Sequence, residues 1–230
     1  NIFNFSGRTT RRGFWPFFAV PVVVSIINLI YEEPSNTYLY FYDATLSPTD
    51  TRDQIEDAIQ LVAASGQDLL FAQANPLTPH IYTIDGTIEI PSNIKIDFNN
   101  SIIKREAGEG QDDVFDMLIN ENLTGGNVNI VLKNLIIDGN RKNDTPNVSS
   151  DDLTPYDDDD RFSGLKFSNV SDSKLMNITV EYTVNGEHRN GDESEYPAAG
   201  IFFTNESNNI YCKNINAYNN DFTGIIIYNS

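Results

Sequence analysis

The chain has 230 residues and a formal net charge of −18, with a pI near 4.2. So acidic a surface repels phosphodiester backbones and anionic headgroups, which argues against nucleic acid or anionic membrane surface as the main partner. One cysteine, Cys212, rules out an intrachain disulfide framework, and His80 and His188 show no metal-ligand spacing.

Residues 1–34 are unlike the rest. Arg8, Arg11 and Arg12 precede an uncharged run of 18 residues, Phe14 to Tyr31. That length just reaches a membrane span. Pro16, Pro21, Ser25, Asn28 and the β-branched residues favour extended structure in a protein groove instead. A secretory signal would need a small-residue cleavage pattern, which Tyr31-Glu32-Glu33-Pro34 does not offer. Protein-embedded anchor, membrane anchor and signal all remain open. The opening Phe5-Ser6-Gly7-Arg8, followed by Arg11 and Phe14-Trp15, resembles the start of a small bacterial inner-membrane family, over about a dozen residues. None of that family's later helices is present.

Alternation in Thr37–Ala44 predicts a strand. Ser47-Pro48-Thr49-Asp50 reads as a turn. Thr51 or Asp53 then caps a helix whose apolar face is Ile55, Ala58, Ile59 and Val62, and Gly66 stops it. Short alternating segments come next: 68–72, 81–84, 87–90, 94–98, 101–104, 117–119 and 128–132. The helix is expected to plug the open end of the structure these segments build. The chain therefore divides into an anchoring segment with a short strand (1–45), a linker and capping helix (46–66), and a β region (67–230).

The β region repeats itself. Gly164, Gly200 and Gly224 each lead a short apolar run that closes on a hydroxyl or aromatic residue and asparagine: Ser168-Asn169, Thr204-Asn205, Tyr228-Asn229. A second element recurs as Asn134-Leu135-Ile136-Ile137, Asn177-Ile178-Thr179-Val180 and Asn214-Ile215-Asn216-Ala217. Short strands recurring at such a period predict a β-solenoid, in which each rung buries its apolar face on the next. Asparagine at the corners tolerates left-handed backbone and bonds along the stack. An antiparallel sandwich is the alternative. The unequal glycine spacing fits a loop inserted over 184–199, and Cys212 reads as a small core residue. The last residues start a rung with nothing to cap it, so the coil is expected to continue past Ser230.

The order from Asp53 to Lys104 resembles the opening of right-handed parallel β-helix proteins of the pectate-lyase-like superfamily. It runs helix, glycine, apolar strand, Tyr82-Thr83-Ile84, Ile90-Pro91-Ser92-Asn93 and Ile94-Lys95-Ile96-Asp97-Phe98-Asn99. Ile136-Ile137-Asp138-Gly139-Asn140-Arg141, succeeded by glycine-led rungs, belongs to the same resemblance, which covers residues 51–230. The stretch Tyr38–Ala44 before the helix looks like the particle-proximal region of phage tailspikes and tail fibres. The resemblance implies an all-β right-handed parallel β-helix capped by one N-terminal helix, behind a hydrophobic anchor. It specifies fold more than function.

Candidate chemistry is sparse. Asp157, Asp158 and Asp160, in an acidic stretch from Ser149 to Arg161, are Ca²⁺ candidates, although no calcium-loop spacing is present and a solvated acidic loop is the favoured reading. No other cofactor is expected. Asp97, Asp116, Asp138 and Glu181 lie at strand ends, and two acids on neighbouring rungs suit glycoside hydrolysis; no pair is assigned. Elimination would need a base such as Lys166 or Lys174. Phe202, Phe203, Tyr211, Tyr218, Phe222 and Tyr228 are candidates for sugar stacking or for the core. The Asn-x-Ser/Thr triplets arise from turn chemistry.

The leading expectation is a structural virion protein, the proximal part of a phage tailspike or tail fibre. It would be a homotrimer, held to other tail or adaptor proteins through residues 1–45, and its β-helix would meet host-surface polysaccharide. The rival is an exported or membrane-anchored bacterial polysaccharide lyase, hydrolase or epimerase; a non-enzymatic adhesin is the third.

Overall fold

A computed structural model describes residues 31–33, 36–41, 48–71, 78–106, 115–140, 162–183, 199–220 and 223–228. The apolar run of residues 14–30, the acidic stretch with Asp157, Asp158 and Asp160, and residues 184–198 lie outside the described residues. The fold is mostly β, with parallel sheets and one helix.

Strands β1 (Tyr31–Glu33) and β2 (Asn36–Phe41) pair antiparallel, the only such pair among the described strands. Helix α1 (Pro48–Ser65) starts earlier than the capping residues Thr51 and Asp53 suggest. Proline is well suited to the first helical turn, where its missing N–H costs nothing. The predicted stop is observed: Gly66 has φ 70° and returns its N–H to Val62 O at 2.9 Å. Ile55, Ala58, Ile59 and Val62 are fully buried in the same cluster as the apolar residues of the neighbouring strands. Burial of each large aliphatic side chain contributes about 1.5–3 kcal/mol.

Strands β3 (Asp68–Phe71) and β4 (Ile81–Ile84) both pair parallel with β6 (Ile94–Arg105), β3 against its first half and β4 against its second. Beyond them the chain visits three sheets in a recurring order. The first sheet takes β5 (Ile88–Ile90), β7 (Leu118–Asn120), β10 (Leu165–Ser168), β13 (Ile201–Thr204) and β15 (Ile225–Ile227). A two-stranded sheet takes β8 (Asn127–Val128) and β11 (Val170–Ser171), and Asn208 bridges onto it. The third takes β6, β9 (Ile130–Asp138), β12 (Lys174–Glu181) and β14 (Tyr211–Tyr218). All of these pairings are parallel, which removes the antiparallel sandwich.

The long strands are bent, not interrupted. Residues 94–98 and 101–104, expected as two strands, are one strand that bends through Asn99 and Asn100, at φ 52° and 61°. The matching bends in β9, β12 and β14 are Asn134, Asn177 and Asn214, at φ 57°, 56° and 54°. Asparagine adopts left-handed backbone at lower cost than other side chains because its short amide bonds locally. Here the amides also bond to one another. Asn214 Nδ2 donates to Asn177 Oδ1 at 2.9 Å, Asn177 to Asn134 at 2.7 Å, and Asn134 to Asp97 Oδ1 at 2.8 Å. A second column donates from Asn129 to Asn93 at 3.3 Å and from Asn209 to Asp172.

Inside, side chains of one kind align. Ile96, Leu132 and Leu175 are register partners, as are Ile103, Ile137 and Val180, and all six are fully buried. Phe41, Phe71 and Phe98 stack next to the helix, with ring centroids 5.0 and 4.6 Å apart. Gly164, Gly200 and Gly224 are in line: Leu165 N donates to Gly200 O at 3.0 Å and Ile201 N to Gly224 O at 2.9 Å. Close approach selects these glycines. A Cβ on Gly164 would lie 2.4 Å from Val180 Cγ1, and one on Gly200 2.7 Å from Gly224 O. Cys212, read from sequence as a core residue, is the register partner of buried Leu175 and is exposed on β14, the last described strand of its sheet.

Candidate functional site

The outer face of β6, β9, β12 and β14 carries the candidate chemistry. Strand side chains alternate between faces, so with Leu132, Leu175 and Val180 inside, their neighbours point out. Register then assigns four outward columns. Two lie before the asparagine bend: Lys95, Val131, Lys174, Tyr211, and Asp97, Lys133, Met176, Lys213. Two lie after it: Ile102, Ile136, Thr179, Asn216, and Lys104, Asp138, Glu181, Tyr218.

The last column brings together two of the four acids singled out from sequence. Asp138 and Glu181 face each other on adjacent strands, which places their backbones about 4.8 Å apart. Asp138 Oδ1 accepts from Asn140 N at 2.8 Å, and its Oδ2 lies 3.4 Å from Lys104 Nζ. Glu181 accepts a hydrogen bond from the Tyr218 phenol, which raises that phenol's pKa above its ordinary value. Tyr218 is 47% exposed. Beside it, Tyr182 holds φ 57°, a region bulky side chains seldom occupy. Its hydroxyl accepts from Asn219 Nδ2 at 3.2 Å. Gly139 sits one strand away, where a Cβ would approach Tyr182 O to 2.4 Å. Two carboxylates one strand apart, one bonded to an ammonium and a backbone N–H and the other to a phenol, form an arrangement suited to handling protons at a glycosidic oxygen.

The other acids are engaged elsewhere. Asp97 Oδ2 meets Lys133 Nζ at 2.9 Å while its Oδ1 takes the end of the asparagine ladder. Asp116 holds Lys166 Nζ at 2.7 Å and accepts from Ser163 N at 2.7 Å, which ties β10 to the segment before β7. Lys166 is thus ion-paired, whereas Lys174 is exposed on the outer face. Among the candidate aromatics, Phe202 and Phe203 are buried, Tyr211, Tyr218 and Tyr228 are exposed, and Phe222 lies outside the described residues. Asp157, Asp158 and Asp160 lie outside them too. Among the described residues, no group of three or more His, Cys, Asp or Glu side chains is placed to hold a metal ion, and no helix is long and apolar enough to cross a membrane.

Lys104, Tyr182 and Lys213 were not singled out from sequence. Counting from the ladder asparagines would have found the pattern: Asp138, Glu181 and Tyr218 come after Asn134, Asn177 and Asn214 by the same interval, and Lys133, Met176 and Lys213 each precede them. Comparison with protein-family models, with curated proteins and with solved structures returned no match to this chain.

Proposed function

We propose that the chain is the proximal part of a virion attachment fibre, of the kind found in phage tailspikes, and that its β region is a right-handed parallel β-helix. The single observation that carries this reading is the recurring order of three parallel sheets beneath a helix that covers the first strands. A chain returning to the same sheets in the same order is winding a coil, and parallel crossovers are right-handed in nearly all proteins. Such a coil is stiff along its axis and presents long outer faces, as a fibre requires. Residues 1–45 lodge in other tail proteins, three copies assemble side by side, and the outer faces meet host-surface polysaccharide. The acidic exterior keeps a long particle soluble. Native mass measurement of the purified chain tests this, with a trimer expected. A monomer that also fails to retain bacterial surface polysaccharide would overturn it.

A second reading, a polysaccharide-cleaving enzyme, is favoured by the Asp138–Glu181 register pair. It expects the chain to shorten a polysaccharide, and expects Glu181→Gln and Asp138→Asn each to abolish shortening while leaving the fold intact. Cleavage that survives both substitutions would remove the pair from consideration.

A further inference from the structure

We infer that Lys174, Tyr211 and Lys213 form a binding patch for an anionic sugar, a ring bearing a carboxylate or a sulfate ester. The inference rests on the reading that the outer faces bind polysaccharide, and narrows the class of polysaccharide.

The argument starts from charge. The chain has 33 acidic and 15 basic side chains, so a basic group without a partner is the exception. Among the described residues five cations meet carboxylates: Arg52 with Asp53, Lys95 with Asp68, Lys104 with Asp138, Lys133 with Asp97, and Lys166 with Asp116. The Arg105 guanidinium lies over the Phe162 and Phe115 rings, at 4.6 and 5.5 Å. Lys174 and Lys213 alone of the described lysines and arginines have neither kind of partner. The nearest acid along the chain, Asp172, accepts from Asn209 Nδ2 and makes no ion pair with Lys174.

Those two lysines are also neighbours. Lys174 pairs in register with Tyr211, and Lys213 lies two residues further along the strand of Tyr211, on the same outward face. Strands lie about 4.8 Å apart and alternate residues about 6.6 Å apart. The backbones of both lysines therefore lie within about 7 Å of that of Tyr211, one across the sheet and one along the strand, about the width of a sugar. Tyr211 is 54% exposed, which leaves a ring face for the apolar side of a pyranose. Met176, the register partner of Lys213, adds an apolar, half-buried floor. Lysine ammonium groups are point charges that take either anion, so the patch itself does not choose between carboxylate and sulfate. The asparagine ladder separates it from the acid column at Asp138 and Glu181, so an anion beside Lys174 and Lys213 meets no opposing carboxylate on their two strands before the bend.

The test is binding of the whole chain to four probes: hyaluronan for carboxylate, dextran sulfate for sulfate ester, unmodified dextran, and single-stranded DNA. Hyaluronan or dextran sulfate is expected to bind well above dextran and to weaken as salt rises; the tighter of the two identifies the anion. Lys174→Gln and Lys213→Gln should each weaken binding by roughly tenfold, about the effect of losing one charge-assisted hydrogen bond. Lys133→Gln, on the same face but already neutralised by Asp97, should leave binding unchanged. If the double lysine variant binds as tightly as the parent, the patch is wrong while the glycan reading stands. If no polysaccharide binds, both fall. Lysine-dependent binding of DNA as tight as of any polysaccharide would overturn the assignment to sugar.

Discussion

Asn177 offers the sharpest test of why the long strands bend. It holds φ 56°, donates to Asn134 at 2.7 Å and accepts from Asn214 at 2.9 Å. Replacing it by alanine and, in parallel, by glycine separates backbone from side chain. Both variants lose both bonds, each of which contributes about 0.5–1 kcal/mol at an exposed position. Alanine must in addition hold left-handed backbone, at about 1–2 kcal/mol. Glycine escapes that strain, but its unfolded chain is freer by about 0.5–1 kcal/mol. The expected losses are about 2–4 kcal/mol for Asn177→Ala and about 1.5–3 kcal/mol for Asn177→Gly. Urea unfolding tracked by far-ultraviolet circular dichroism measures both, and for slopes of about 1–3 kcal/mol/M the alanine midpoint should fall by about 0.7–4 M. An alanine variant more stable than the glycine variant would show that the bend does not demand left-handed backbone. Two variants within about 0.5 kcal/mol of the parent would show that the amide ladder contributes nothing to stacking.

The geometry leads to three more expected outcomes. Gly164→Ala places a Cβ 2.4 Å from Val180 Cγ1 and should cost about 1–3 kcal/mol by overpacking. Part of that cost should return in a Val180→Ala background, read as a coupling energy in a double-mutant cycle. Burial raises the pKa of Glu56, whose carboxylate accepts from Glu89 N at 3.2 Å across the helix–strand seam. A carboxyl raised in the folded state favours folding below its unfolded pKa, and that contribution is lost as pH climbs through the folded pKa. Glu56→Gln keeps the acceptor oxygen, so it should raise the melting temperature at neutral pH and flatten the change across the carboxyl range. Unchanged melting curves from about pH 4 to 7, the range of carboxyl titration, would show that the seam is not strained by charge. Finally, Glu181→Gln removes the carboxylate that raises the Tyr218 phenol. That phenol should then titrate closer to an ordinary tyrosine, as monitored by NMR of labelled tyrosines, and an unmoved resonance would refute the contact.

Much of the fold was legible because local chemistry and stacking ask for the same residues. Period-two alternation announced β6 and β9, and the helix face Ile55, Ala58, Ile59 and Val62 could be read from spacing alone. The bends were harder to read. Asparagine signals a turn as readily as a kinked strand, so Asn99-Asn100 looked like a break between two strands where the backbone runs on. Cys212 has the alternation of a core residue and the register of buried Leu175, yet is exposed on β14 among the described residues.

The sequence by itself determined the local preferences of the parallel strands: glycines where strands approach closely, asparagines where they bend, aliphatics where they face inward. Each is a requirement of one residue's own backbone and side chain, so it shows in composition and spacing. Which outward residues meet was decided by the register between strands, which the sequence shows only once the ladder asparagines are known to align. Asp138 and Glu181 are 43 residues apart, as are Lys133 and Met176, and nothing local fixes the length of chain between successive strands. Register, set by the ladder of amides and the buried columns, turns those distances into neighbours, and it gathers Lys174, Tyr211 and Lys213 onto one face.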